Sequence, residues 1–580
     1  MSTARHATSR TRPRTSTGWF PKAEEAPITP ICKPGARAAL AIALLTAATS
    51  AQARVESRSP LVAYAQARTA ASAGATEQAS ADFTAALAAA PDNELVAGQA
   101  LGHAVTAGDW PLALRAARVL EAKGALLPDV RFLLLGDAFR NRDWRAAQVQ
   151  IDAIERDRLF AFATPVLRAW LAYGSRRGDP ITELGRATEG PAAGYAAEHR
   201  PLILLAQGRR EGVDELGRVA QSAGPRGPRL RIAGAAAIAR RDREAALTLL
   251  QGDAPSIRIA RERIAQRQEL PGAIDSPAAG MGEFLVRLSI DLNSNELASV
   301  SATLARLATW LAPENSETWM VAAELAARQD RHDAAIAMLA NVPAGDPFAA
   351  VARDQRIRLL VDGDDKTEAL REAEAAAALQ TAGAADQVRL GEVLMSLDRP
   401  ADAAGAFARA IAVRDDATSN YPEWTLWLMR GGAHDEAGQW PEARAALERA
   451  YSLAPDQPLV LNYLGYAQLS RRENMLEAER LIREAHRRAP DNAAITDSLG
   501  WALFLKGERA EGITLLEQAV QGAPADTEIN EHLGDAYYTV GRRAEARYAW
   551  RAARVYAEGD DATRLDAKIT QGMTPELAAR

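Results

Sequence analysis

Pro455, Pro490 and Pro524 stand 35 and 34 residues apart, and each closes a copy of one pattern. The copies read TLWLMRGGAHDEAGQWPEARAALERAYSLAP, VLNYLGYAQLSRRENMLEAERLIREAHRRAP and ITDSLGWALFLKGERAEGITLLEQAVQGAP. A fourth, INEHLGDAYYTVGRRAEARYAWRAARVYA, follows without its proline. A period near 34 is the length of a helix–turn–helix unit that cannot bury its apolar face alone and must stack on its neighbours. The spacing therefore predicts an all-α solenoid, a fold that presents a surface along its length.

Composition fits that expectation. Of 580 residues, 48% are hydrophobic and 25% charged, ordinary values for a folded chain. Much of the apolar share is alanine, which forms helices well and lets helix axes approach. A net charge of −6 implies neither bulk nucleic-acid binding nor a polybasic membrane surface. The single cysteine, Cys32, permits no internal disulfide, and the seven histidines show no metal-ligand spacing. No cofactor or metal is expected.

Arg37–Arg54, RAALAIALLTAATSAQAR, places an apolar run, Ala38–Thr49, between a basic flank and the small-x-small triplet Ala51-Gln52-Ala53. This is the pattern of a secretory signal peptide cut after Ala53, and it predicts a periplasmic chain. An uncleaved leader anchored in the inner membrane is the alternative. The preceding Met1–Ala36 is long and rich in Arg, Thr and Pro, and it reads as disordered. Cys32 lies before the apolar run, which disfavours a lipoprotein signal.

If each closing proline is counted as position 32, the second unit places Leu461, Leu464, Gly465, Ala478, Ile482, Ala485 and Pro490 at recurrent positions. The third places Leu499, Gly500, Gly507, Leu516, Ala519 and Pro524 there, with Gly512 standing where an alanine is usual. The fourth offers Leu533, Gly534, Tyr537, Gly541, Ala546, Trp550 and Ala553; the first offers Trp427, Gly431, Gly438, Trp440, Ala443, Leu447, Ala450 and Pro455. Small residues at positions 8, 20 and 27 let paired helices approach, while large ones fill the gaps between them. These positions resemble the tetratricopeptide repeat, and the resemblance implies a right-handed superhelix. It is strong over 424–558, moderate over 60–154 and 316–414, and weak between.

Two segments rich in proline and glycine interrupt the array, Gln221–Arg229 and Leu270–Gly282. The second is the predicted linker (271–282). It separates a degenerate N-terminal arm (54–270) from middle repeats (283–420) and the well-matched C-terminal repeats (421–558). Asp561–Thr570 is expected to form a last helix covering the final repeat, within a tail of 559–580. Arg226–Arg231 and Arg258–Arg267 read as solvated faces or linker.

No phosphate loop, nucleophile elbow or nucleophile–base–orienter set is present in the sequence, so an enzyme is not expected. In the resembling family, positions 5, 9 and 12 of each first helix line a concave groove. Carried over, these are Asn462, Tyr466 and Leu469, then Asp497, Trp501 and Phe504, then Glu531, Asp535 and Tyr538. The set is aromatic and acidic, without the basic members that grip a C-terminal carboxylate. Asn462, Tyr466, Asp497, Trp501, Glu531, Asp535 and Tyr538 are the candidate partner-binding residues, whereas Phe504 reads as core. The acids would favour a basic segment or accept from a peptide's amides.

The string NYLGY…DSLGW…EHLGDAYYTVGRRAEAR resembles proteobacterial cell-envelope members of the family. Some of those are adaptors for a carboxyl-terminal processing protease that acts on cell-wall hydrolases. The resemblance implies a non-enzymatic scaffold or adaptor of the envelope, with a protein or peptide partner, an envelope protease or cell-wall enzyme among the candidates. The alternative is an envelope-polymer or carbohydrate-handling component that stacks sugars on the groove aromatics.

Overall fold

In the computed structural model, residues 59–292, 297–415 and 421–578 are described, and within them every regular element is helical. The leader and its cleavage site lie outside the described residues. Chemical punctuation decides where the helices begin and end. Asn492 and Asp526 accept the N–H groups of Ile495 and Ile529 at 3.1 Å, filling orphan donors at two helix starts. Gly507, at φ 102°, ends helix Ala493–Lys506 in the left-handed conformation that other residues avoid.

The chain divides into two compact units between Gly363 and Asp364. In the unit beginning at Asp364, the repeat register becomes packing. Ala443, Ala450, Ala478, Ala485, Ala546 and Ala553 are all fully buried. A Cβ on Gly465 would sit 2.8 Å from Ile482, and one on Gly534 would sit 2.4 Å from Trp550. Position 8 must therefore be glycine for the helices of a unit to close. The unusual Gly512 has the same cause. A Cβ there would meet the Gly500 carbonyl oxygen at 2.7 Å and the Phe504 nitrogen at 2.8 Å, so two glycines face each other where one usually suffices.

The unit ending at Gly363 corrects the predicted linker. Pro277 is the first residue of helix Pro277–Asp291, a place where proline's missing N–H costs nothing. Met281, Phe284 and Leu285 on that helix are fully buried. Gly280 lies against Trp170, where a Cβ would fall 2.0 Å from the indole. Helices Pro277–Asp291 and Ala298–Leu311 thus turn back onto earlier helices. Phe284 meets Phe132 and Tyr195 at ring distances of 6.3 and 5.1 Å, and Trp310 stacks on Trp110 at 5.2 Å. The glycines that read as a break are what permit this close return. The expected edge at residue 420 also moves, since helices Pro400–Ala412 and Glu423–Glu436 pack directly on each other in one unit.

The first break is corrected too. Gly224–Arg226 is a single helical turn leading into helix Gly227–Ile238, and the side chains of Arg226 and Arg229 are only 11% and 10% exposed rather than solvated. Arg226 forms a two-bond fork with Glu198 at 3.0 and 3.1 Å and also binds Glu283. Arg229 pairs with Glu317 at 2.6 Å, and Arg287 reaches Glu198 at 2.8 Å. Three carboxylates and three guanidiniums from four parts of the chain thereby close one network. Beside it His199, fully buried, is pushed down to about 4 by desolvation, and its Nδ1 accepts the Trp170 indole N–H at 3.1 Å.

Candidate functional site: the first-helix face of the C-terminal repeats

Helices Pro458–Ser470, Ala493–Lys506 and Thr527–Thr539 are the first helices of three successive units and carry all seven candidate residues. On the middle helix, Asp497 and Trp501 are buried. Asp497 Oδ2 lies 2.8 Å from His532 Nδ1 on the next first helix. The Trp501 indole stacks flat on the His532 ring at 4.5 Å, with Phe504 stacked at 5.6 Å on Trp501. Burial opposes charge on His532, but the carboxylates of Asp497, Glu528 and Asp535 outweigh it and lift the ring to about 9. His532 is therefore an imidazolium at neutral pH, and both ring nitrogens donate. Tyr466 takes the second, 3.3 Å from Nε2, and donates its own hydroxyl to Glu528 at 2.9 Å.

The third helix is committed to the chain's own end. Glu531 and Asp535 are buried beneath helix Gly559–Gln571, which spans the stretch expected to cover the last repeat. Arg564 forks onto Glu531 at 2.7 and 2.8 Å. Lys568, wholly buried, places Nζ 2.6 Å from Glu531 Oε1 and 2.8 Å from both Asp535 oxygens. The Trp550 indole donates to Asp535 at 2.8 Å. Against the cost of burial, Arg564 and Lys568 hold the Glu531 carboxyl below its usual range. Tyr538 is half-buried, 5.4 Å from the Trp550 ring and beneath Arg543.

The structure thus brings Tyr466, Asp497 and Trp501 together around His532. It assigns Glu531 and Asp535 to an internal ion cluster and leaves Asn462, Tyr466 and Tyr538 half-buried. Positions 5 and 9 of the middle first helix, Asp497 and Trp501, hold the next first helix through His532. Three polar atoms of the candidate residues have no hydrogen-bond partner: Asn462 Oδ1, Asp497 Oδ1 and Trp501 Nε1. Sequence reading passed over His532, Arg564 and Lys568. The last two were visible as a basic pair one turn apart on a short helix whose neighbour carries Glu531 and Asp535, also one turn apart.

The tetratricopeptide repeat family model matches residues 388–458 and 428–493, a stretch that takes in helix Pro458–Ser470 and ends where helix Ala493–Lys506 begins. The chain carries tetratricopeptide repeats. It is similar to a TPR repeat-containing protein of Pseudomonas aeruginosa, 33% identical over 96 residues. That match spans 16% of each chain. Among solved structures it is similar to a thermophilic TPR protein of Thermus thermophilus, 22% identical at a TM-score of 0.29, covering 32% of this chain and 98% of that one. It is similar also to the APC/C hetero-tetramer Cut9–Hcn1, 14% identical at a TM-score of 0.35, covering 93% and 99%. Tetratricopeptide repeats are protein-binding scaffolds, typically non-catalytic.

The raised His532 has a consequence for these repeats. Its ordinary value is about 6.5, so its stabilising charge is complete below that pH and lost as pH rises through about 9. The unit should lose roughly 3 kcal/mol between these limits, measured as a falling denaturant midpoint. His532→Gln should flatten that slope. An unchanged slope would show that the ring is neutral in the folded chain.

Proposed function

We propose that this chain is a non-enzymatic scaffold of the bacterial cell envelope that holds a protein partner along the first-helix face of its C-terminal repeats. The observation that carries this reading is the set of unpaired polar atoms at Asn462, Asp497 and Trp501. A buried polar group without a partner costs about 1–3 kcal/mol, so a ligand that satisfies it gains that amount back. Two of the atoms are acceptors and one is a donor. A peptide main chain offers both complements, with the half-buried rings of Tyr463 and Tyr466 as apolar ground beside them. Such a peptide displaces Tyr466 toward solvent. The partner class is an envelope protein, a protease or cell-wall enzyme among the candidates, and the leader Arg37–Arg54 supports secretion.

A photo-crosslinking residue placed at Asn462 in the full chain should capture one discrete protein in intact cells. The same residue at Tyr548, exposed on a second helix, should capture none. Equal capture at both positions, or none at position 462, would overturn the assignment of the face. N-terminal sequencing of the mature chain should begin at Arg54 in the periplasmic fraction. A cytoplasmic chain that retains its leader would remove the envelope from this reading.

A further inference from the structure

A cavity of about 90 Å³ opens within the unit ending at Gly363, between helices Glu94–Ala107, Ala298–Leu311, Ser316–Ala327 and His332–Leu339. Thr106, Ser299, Thr303, Arg306, Gln329 and Arg331 supply its polar lining. The volume is several times the roughly 10–15 Å³ that one water needs. It is far too small for a peptide.

Two cations share this space. Arg306 donates to the Ala107 carbonyl at 3.3 Å and to Thr309 at 3.2 Å, and it lies 5.9 and 5.8 Å from the rings of Trp110 and Trp319. Its Nε is buried without a partner. Arg331 donates to Gln329 at 2.7 Å. Neither forms an ion pair among the described residues, although Arg226 and Arg229, also withdrawn from water, each hold a carboxylate. Desolvation pulls Arg306 down to about 10, helped by the like charge of Arg331, and burial lowers Arg331 as well. Two withdrawn guanidiniums facing one polar cavity leave their charge uncompensated. An arrangement of this kind recognises oxyanions, because planar N–H forks match their oxygens.

We propose that the cavity lined by Arg306 and Arg331 is a binding site for a phosphate-class tetrahedral oxyanion. Two positive charges match a dianion, and Ser299 and Thr303, one turn apart on the helix that carries Arg306, line the same cavity. The Ala107 carbonyl and the Thr309 hydroxyl hold the Arg306 guanidinium in place, so the site needs little rearrangement to bind. A carboxylate supplies one charge and two oxygens and leaves half of the site unmet.

The test uses the full chain in chloride buffer, with inorganic phosphate, glycerol phosphate and acetate titrated at constant ionic strength. Calorimetry should show one phosphate bound per chain, with a rise in the thermal midpoint that acetate does not produce. Binding of glycerol phosphate at the same site would identify the source as a phosphomonoester; binding of inorganic phosphate alone would identify the free ion. Arg331→Gln should weaken phosphate binding by about tenfold or more. Without phosphate the same variant should be at least as stable as the parent, because it removes a like charge from Arg306. A purely structural Arg331 would give the opposite sign. The proposal fails if phosphate stabilises the parent no more than chloride does. It fails equally if Arg331→Gln binds phosphate as tightly as the parent.

Discussion

Lys568→Ala should unfasten the C-terminal end of the array, at a cost of about 3–5 kcal/mol at neutral pH. The lysine is wholly buried, and its ammonium is shared by Glu531 and Asp535. Removing it leaves Arg564 to compensate Glu531 and takes from Asp535 the ammonium that meets both of its oxygens. A buried carboxylate that loses its cation keeps the full desolvation cost, which is why breaking one member of such a cluster exceeds the value of a surface pair. Hydrogen exchange should localise the loss to helices Thr527–Thr539, Arg543–Arg554 and Gly559–Gln571 and leave the helices before Pro490 protected. Lys568→Met with Asp535→Asn should recover most of the loss, because it removes the orphaned charge together with its partner. A loss under about 1 kcal/mol for Lys568→Ala would mean that the cluster is hydrated in solution and worth no more than a surface pair. The same cluster decides how Asp535 is read in any binding experiment. Asp535→Ala would lower stability before it could report on a partner.

Arg226→Ala should have an effect of similar size, about 3–5 kcal/mol, in the other unit. Its guanidinium touches Glu198, Glu283 and Glu317, which come from helices Gly190–Ala206, Pro277–Asp291 and Ser316–Ala327. Glu283 is held up at about 7 by burial and the neighbouring Glu317, with Arg226 pulling the other way. Without Arg226 the Glu283 carboxyl should take up a proton, and Glu198 would retain Arg287 alone. The loss should therefore shrink when Glu283→Gln is added, since the variant starts neutral. Calorimetric unfolding of the single and double variants gives the coupling directly. Additive losses would show that the two side chains do not act together.

How much of this was legible follows a physical line. The repeat, its position-8 glycines and its buried alanines at positions 20 and 27 could be read because each is enforced by a neighbour within one period. Ala478 and Gly465 face each other inside a single helix pair. The first-helix positions could be placed on a face, but that face has two possible occupants, a ligand or the next first helix. Asp497 and Trp501 suit either, and only the stacked His532 shows what they hold. Leu270–Gly282 was misread for a related reason. Proline and glycine break helices in isolation, yet Pro277 starts one and Gly280 lets it lie on Trp170, more than a hundred residues earlier. Arg226 and Arg229 looked solvated because their carboxylates are remote; Glu198 is 28 residues away and Glu283 is 57.

By itself, the sequence determined an all-helical array with a 34-residue unit and a C-terminal run of tetratricopeptide repeats, because helix period, turn glycines and small residues at helix crossings act over one or two turns. The tertiary structure alone decided which charges are spent and which are free. Glu531 and Asp535 go to Lys568, and Arg226 goes to three distant glutamates, while Arg306 and Arg331 face a cavity without an acid. A charge is settled by whatever lies within about 4 Å of it, and in a chain that folds back on itself that neighbour comes from anywhere along its length.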